Sequence, residues 1–193
     1  MRVLLAAALL LSAPVAARAD VFAVPFAGVK FGGGTSIFDI EFAASEKKFT
    51  LGGAVMNLGT GPVGFEAMFG YVPGYFERDN LIWNPGSFLI DLTGSVVFAL
   101  PPNFTAGGLR PYVIGGGGLT HVQAEDKLGV ITVRRTVPVW SAGLGAIGLL
   151  TNDVGLRFDY RYVRSLTTDD GSLSGVGRRI SYSRFTVGLY LRL

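Results

Sequence analysis

The stretch Phe185-Thr-Val-Gly-Leu-Tyr-Leu-Arg-Leu193 alternates large apolar residues with polar or small ones up to the last residue of the chain. All its odd-numbered positions are large and apolar, whereas its even-numbered positions carry threonine, glycine, tyrosine and arginine. A period of two over these nine residues predicts a β-strand with an apolar environment on one face and a polar one on the other.

Similar strand-sized segments occur along the rest of the chain. We predict strands near 22–31, 49–58, 63–71, 87–100, 110–121, 137–149 and 154–162, followed by the terminal strand. Short connections near 59–62, 101–109 and 151–153 alternate with long ones near 32–48, 73–86, 122–136 and 165–179. Regular alternation of short and long connections is typical of an up-and-down antiparallel barrel in a membrane.

The composition also favours a membrane protein. Mean hydropathy is positive, yet beyond residue 19 no stretch of about 20 residues, the length of a spanning helix, is continuously apolar. Only helices and closed barrels satisfy every backbone polar group in lipid. We therefore predict an all-β fold, an eight-stranded antiparallel up-and-down transmembrane β-barrel. Cysteine is absent, so neither a disulfide framework nor a thiolate metal site is expected.

Residues 1–19 are predicted to be a secretory signal peptide. Arg2 supplies the positive start, Val3–Leu11 the apolar segment, and Ala17-Arg18-Ala19 the cleavage site. The barrel domain would then comprise residues 20–193. Its charge is 15 basic minus 14 acidic residues, or +1, once Arg2 and Arg18 are removed. This balance gives no indication of a nucleic-acid partner.

Parity places a group of charged residues on the polar face of the predicted strands, toward the lumen. They are Glu66, Asp91, Arg157, Asp159, Arg161, Arg184 and, at the chain end, Arg192. Buried charges need partners, so the two arginines of the seventh strand are expected to pair with Asp91 and Glu66. Arg184 is expected to pair with Asp159. Such a network would plug a barrel whose interior is just wide enough for side chains; the alternative is a gate or narrow ion path.

Two further groups of residues lie near the predicted strand ends. Basic residues there are either solvated loop charges or contacts for lipopolysaccharide phosphates; the candidates are Lys47, Lys48, Arg134, Arg135, Arg178 and Arg179. Aromatic residues there suit interfacial girdles; the candidates are Tyr71, Tyr75, Trp83, Tyr112, Trp140, Tyr160, Tyr162 and Tyr190.

Three segments resemble the small eight-stranded outer-membrane proteins of the OmpA-like and OmpX-like group: 110–118, 154–162 and the terminal strand. The resemblance implies internal ion pairs and a bacterial outer-membrane location with both termini in the periplasm. It also implies a C-terminal signal read by the barrel assembly machinery, at Thr186, Gly188, Leu191 and Leu193. Leucines stand where that family carries aromatic residues.

A catalytic role is not expected. His121 is the only histidine, and outer-membrane lipid A deacylases place a serine two residues from their histidine. Leu119 and Gln123 occupy those positions here. One histidine without cysteine also gives no indication of a metal site, and no cofactor is expected.

The sequence thus predicts a non-enzymatic outer-membrane barrel that anchors surface loops and contributes to envelope integrity or surface interaction. The alternative is a narrow pore or small-ligand conduit. A lipid-modifying outer-membrane enzyme is the third possibility, and the sequence does not identify a surface partner.

Overall fold

The computed structural model describes residues 20–32, 35–38, 40–42, 47–74, 88–101, 108–125, 132–151, 153–166 and 179–193. The predicted signal peptide, Tyr75 and Trp83 lie outside these residues. The strands are β1 (Val21–Phe31), β2 (Thr35–Phe38), β3 (Ile40–Phe42), β4 (Lys48–Asn57), β5 (Val63–Pro73), β6 (Phe88–Ala99), β7 (Leu109–Glu125), β8 (Thr132–Leu149), β9 (Val154–Ser165) and β10 (Arg179–Arg192). No helix within the described ranges is long and apolar enough to cross a membrane.

Eight of these strands form a closed antiparallel barrel, in the order β1, β4, β5, β6, β7, β8, β9, β10. Pairing of β1 with β10 closes the ring, with Ala27 opposite Val187. The predicted fold class is confirmed. β2 and β3 form a short hairpin that pairs with the start of β10; neither strand was predicted, because both lie in the segment assigned to a long connection.

The two ends of the barrel differ. At one end, which we call the terminal end, the Leu193 amide donates to the Val21 carbonyl at 2.9 Å, and the short connections lie on this side. We call the opposite end, where the long connections leave the barrel, the loop end. β7 and β8 pair as far as Glu125 and Thr132 there, so this hairpin is longer than predicted.

The strands present an apolar outer wall, as their two-residue period requires. On β5, Phe65 and Phe69 are exposed while Glu66 and Met68 are buried. The same alternation runs along β9, where Phe158 and Tyr160 are exposed between buried charged residues. In water such an exposed apolar surface would be unfavourable, whereas lipid solvates it. The outer wall therefore suits a bilayer.

Candidate functional site: the charged layer of the lumen

The lumen contains a four-residue ion-pair cluster midway along the barrel. Arg157 Nη1 lies 2.5 Å from Glu66 Oε2, and Arg161 Nη2 lies 2.6 Å from Glu66 Oε1. Both arginines also contact Asp159, at 2.9 Å from Arg157 and 2.6 Å from Arg161. All four side chains are buried. Two guanidinium groups and two carboxylates therefore neutralise one another in the lumen.

Tyr112 on β7 extends this cluster. Its hydroxyl donates to Asp159 Oδ2 at 2.6 Å and accepts from Arg157 Nε at 2.7 Å. Its ring also lies under the Arg157 guanidinium, 5.1 Å from ring centroid to Cζ. Gly145 on β8 gives the tyrosine its space, because a Cβ at that position would overlap the Tyr112 hydroxyl. The glycine and the tyrosine are thus fitted to each other.

A second cluster surrounds Asp91 on β6. Thr120 Oγ1 donates to its Oδ1 at 2.6 Å, and the Tyr182 hydroxyl donates to its Oδ2. Arg184 Nη1 lies 3.3 Å from the same Oδ2, and Arg184 Nη2 lies 3.1 Å from the Met68 sulfur. Asp91 therefore has three partners from two other strands.

The structure buries six of the seven charged residues that parity assigned to the lumen, all except Arg192. Both arginines of β9 pair with Glu66 as expected, but neither pairs with Asp91. Arg184 pairs with Asp91, not with Asp159 as expected. Asp159 instead lies between two arginines of its own strand, because side chains two residues apart share a face about 6.6 Å apart. Arg192 is exposed at the terminal end, where its Nη2 lies 2.5 Å from Asp20 Oδ1.

Several lumen residues were not predicted from the sequence or were assigned to the wrong face. Tyr112 and Tyr190 are buried inside the barrel and do not belong to an outer girdle. Tyr190 shares the parity of Gly188, a signal that points inward; the glycine run in β7 hid the same signal for Tyr112. Lys30 on β1 is also fully buried. The sequence did not place it inside, because the first strand contains Pro25 and shows no clear alternation.

Arg110 serves the terminal end. Its guanidinium donates to three carbonyls, those of Leu100 at 2.8 Å, Gly59 at 2.8 Å and Gly61 at 2.5 Å. These carbonyls belong to two different connections between strands. Arg110 therefore ties adjacent connections together rather than joining the charged layer.

Apolar layers lie on both sides of the charged residues. The layer at the terminal end includes Phe22, Val24, Met56, Val97 and Ile147. The layer at the loop end consists of Val72, Leu89, Val122, Val137, Val139, Val163, Ile180 and Tyr182. The lumen is therefore filled by three successive layers, mostly apolar, charged and mostly apolar. Tyr182 of the loop-end layer also donates to Asp91, and the buried Lys30 lies at the loop end of β1.

Little free space remains within the charged layer. A cavity of about 10 Å³ lies beside Arg157, Asp159 and Arg161, roughly the space that one water molecule requires. Among the described residues, four buried side-chain polar atoms have no hydrogen-bond partner. Glu66 Oε2 is nevertheless in an ion pair with Arg157, which leaves Thr93 Oγ1, Ser95 Oγ and Arg161 Nη1. Ser95 lies directly opposite Glu66 in the β5–β6 register. Unpaired hydrogen-bonding groups thus remain close to the ion pairs.

The predicted basic residues do not form one surface. Lys47, Arg134 and Arg135 are exposed, whereas Lys48 is half-buried. β4 and β8 are four strands apart in an eight-stranded ring, so Lys47 and Arg134 lie on opposite sides of the barrel. Arg178 and the side chain of Arg179 lie outside the described residues.

The structure separates the residues that a hydrolase would need. His121 faces outward on β7, where its Nδ1 lies 2.8 Å from Thr136 Oγ1. Ser141 is buried in the lumen and pairs with Gly116, not with His121. No group of three or more His, Cys, Asp or Glu side chains suited to a metal occurs among the described residues.

The predicted C-terminal signal lies on the closing strand. Thr186 and Gly188 face the lumen, opposite Gly28 and Phe26 of β1. Leu193 is 78 % exposed at the terminal end. These positions fit a strand that completes the ring, and their role in assembly stays a prediction.

Comparison with known proteins agrees with this architecture. Neisserial surface protein A is similar in structure, with a TM-score of 0.63, 15% sequence identity, and coverage of 90% of this chain and 97% of that one. The N-terminal β-barrel domain of Pseudomonas aeruginosa OprF is similar with a TM-score of 0.53 and 16% sequence identity; the match covers 89% of this chain and 97% of that one. OprG from Pseudomonas aeruginosa is similar with a TM-score of 0.53 and 13% sequence identity; the match covers 91% of this chain and 96% of that one. At these identities, the likeness concerns the fold alone.

No curated protein matches the chain at a significant level. The family described as outer membrane protein β-barrel domain matches residues 3–192, which is nearly the whole chain. The closed eight-stranded ring and its apolar outer wall are what such a domain requires. The chain therefore belongs to the outer membrane protein β-barrel family and is a protein of the outer membrane.

Proposed function

We propose that this protein is a non-enzymatic barrel with a closed lumen that anchors surface loops and supports envelope integrity or surface interaction. The observation that carries the proposal is the three-layer filling of the lumen. An ion crossing the barrel would have to pass two apolar layers and displace paired guanidinium and carboxylate groups. Hydrophobic constrictions and satisfied ion pairs both oppose conduction.

The orientation of the barrel is part of this proposal. Both termini and the short connections share the terminal end, as in outer-membrane barrels with short periplasmic turns and longer external loops. We therefore place the terminal end in the periplasm and the loop end at the cell surface. Residues 1–19 would direct export, and the C-terminal strand would be read by the barrel assembly machinery.

A narrow conduit is the second candidate, and one observation favours it. Thr93, Ser95 and Arg161 Nη1 leave polar groups unpaired inside the charged layer. Such groups are able to hold water or to receive a side chain that changes partners. The apolar layers at both ends oppose this function, and we therefore prefer the closed barrel.

Two permeability measurements on cells separate these functions. If the barrel supports the envelope, deleting the protein raises entry of a hydrophobic dye and leaves uptake of small hydrophilic solutes unchanged. Expression of the wild-type chain then restores the low dye entry. The Gly94→Val variant serves as the control, since Gly94 is exposed on β6 and a Cβ there has no neighbour within 4 Å. If deletion lowers solute uptake without affecting dye entry, the conduit is correct and the anchor is wrong.

A further inference from the structure

The outer wall of β9 carries a charge at the loop end, in a position where the other residues are aromatic or apolar. Tyr160, Tyr162 and Arg164 follow one another on this outward face. Leu166, which comes next on the chain's outward side, is 59% exposed. Arg164 therefore lies within the lipid-facing wall rather than beyond it.

Two aromatic side chains lie next to this arginine in the sheet. Trp140 of β8 lies directly opposite Arg164, and Ser181 of β10 lies opposite it on the other side. The Trp140 and Tyr162 rings meet edge to face, 5.8 Å apart between centroids. Because aromatic residues concentrate at the boundary between hydrocarbon and headgroups, Arg164 is placed at headgroup depth.

Arg164 makes no hydrogen bond or ion pair with any residue that the structure describes. The lumen arginines differ, since Arg157, Arg161 and Arg184 all have carboxylate partners. A guanidinium on the lipid-facing wall is costly at the centre of the bilayer and much less costly near the interface. At headgroup depth, lipid phosphates are anions with which it is able to pair.

We propose that Arg164, together with Trp140 and Tyr162, binds the phosphate of a lipid in the leaflet around the loop end. The planar guanidinium forms paired hydrogen bonds with phosphate oxygens, while the two rings contact the apolar part of the same lipid. This inference rests on the orientation proposed above, which places the site in the outer leaflet. The phosphate then belongs to the lipid A part of lipopolysaccharide. Arg164 was not among the basic residues that the sequence singled out.

Trp140 provides a local probe of this site. The chain has two tryptophans, so a Trp83→Phe background leaves Trp140 alone. The protein is refolded into phosphatidylcholine vesicles, and its emission is followed as lipid A with both phosphates is added. We expect the Trp140 emission to change saturably with lipid A concentration. Arg164→Gln should reduce the affinity for lipid A about tenfold or more, since hydrogen bonds to charged groups are worth that much. Arg164→Lys should retain only part of the affinity.

Three comparisons are able to overturn the proposal. Arg192→Gln is the control, because it removes the same charge from the terminal end, away from the proposed site; an equal loss of affinity would indicate general charge attraction. A response to dephosphorylated lipid A would exclude phosphate recognition. A response to inorganic phosphate alone would exclude a lipid site.

A second measurement tests the proposal even if the Trp83→Phe protein does not fold. Native mass spectrometry of the wild-type chain and of Arg164→Gln measures retained lipid A without any probe, and equal retention would contradict the proposal. This result is independent of the closed lumen, which is tested by conductance. The lipid A site and the closed lumen are therefore able to fail independently of each other.

Discussion

Replacing Glu66 with glutamine is expected to destabilise the folded barrel by about 3–5 kcal/mol, the usual loss when one partner of a buried ion pair is removed. Glu66 contacts both Arg157 and Arg161. Without its charge, two buried guanidinium groups would share the single carboxylate of Asp159. The loss is measured as a lower urea midpoint in lipid vesicles and as heat-modifiable gel migration that disappears at a lower temperature.

Two further variants make this result specific. Ser95→Ala alters a buried residue opposite Glu66 but breaks no hydrogen bond, so its stability should stay within about 0.5 kcal/mol of wild type. Combining Glu66→Gln with Arg161→Met restores charge balance, with Arg157 and Asp159 left as a pair, and should recover part of the loss. Equal stability of Glu66→Gln and wild type would show that the ion pairs do not stabilise the barrel.

Replacing Gly145 with valine is expected to cost roughly 3 kcal/mol, the upper end of the range for overpacking. A Cβ at this position overlaps both the Phe158 carbonyl oxygen and the Tyr112 hydroxyl. The carbonyl belongs to the backbone and has little freedom to move, so Tyr112 must give way. Its hydrogen bonds to Arg157 and Asp159 would then be broken, as the urea midpoint would report.

Gly94 provides the control for this substitution. It is exposed on β6, and a Cβ there has no neighbour within 4 Å. Gly94→Val should therefore fold with a midpoint equal to or above that of wild type. If both glycine variants lose the same stability, the cause is general strand strain and not the fit between Gly145 and Tyr112.

The two-residue period was enough to predict the barrel and most lumen residues. On β5, β9 and β10 apolar outward residues alternate with inward residues that are mostly small or charged. The face of one residue therefore assigns the face of every other residue in the strand. Glu66, Arg157 and Arg184 were placed inside on this basis. Parity fails where the pattern is uniform, and the glycine run of β7 concealed the inward position of Tyr112.

The choice of ion-pair partners was beyond the sequence. Which side chains meet across a lumen depends on the tilt and stagger of all the strands, not on any one segment. Arg184 was assigned to Asp159 but meets Asp91 instead. The hairpin of β2 and β3 was missed for a related reason, since its pairing with Arg179 and Ile180 joins segments far apart in the chain.

Arg164 shows a different limit. In the sequence it is one of two basic residues in Arg161-Tyr-Val-Arg164, and only the register with Trp140 places it beside an aromatic pair. The basic residues that the sequence singled out, such as Lys47 and Arg134, instead lie on opposite sides of the ring. Position on the closed barrel therefore distinguishes these arginines, whereas local composition does not.

Single-channel recording of the refolded wild-type protein in a planar bilayer tests the closed lumen most directly. Heat-modifiable migration of the same preparation establishes that the barrel is folded. Two apolar layers and a neutralised charged layer predict no stable conductance steps. Discrete, ion-selective steps that change when Arg157 and Arg161 are replaced by glutamine would contradict the closed barrel and assign the charged layer to ion conduction.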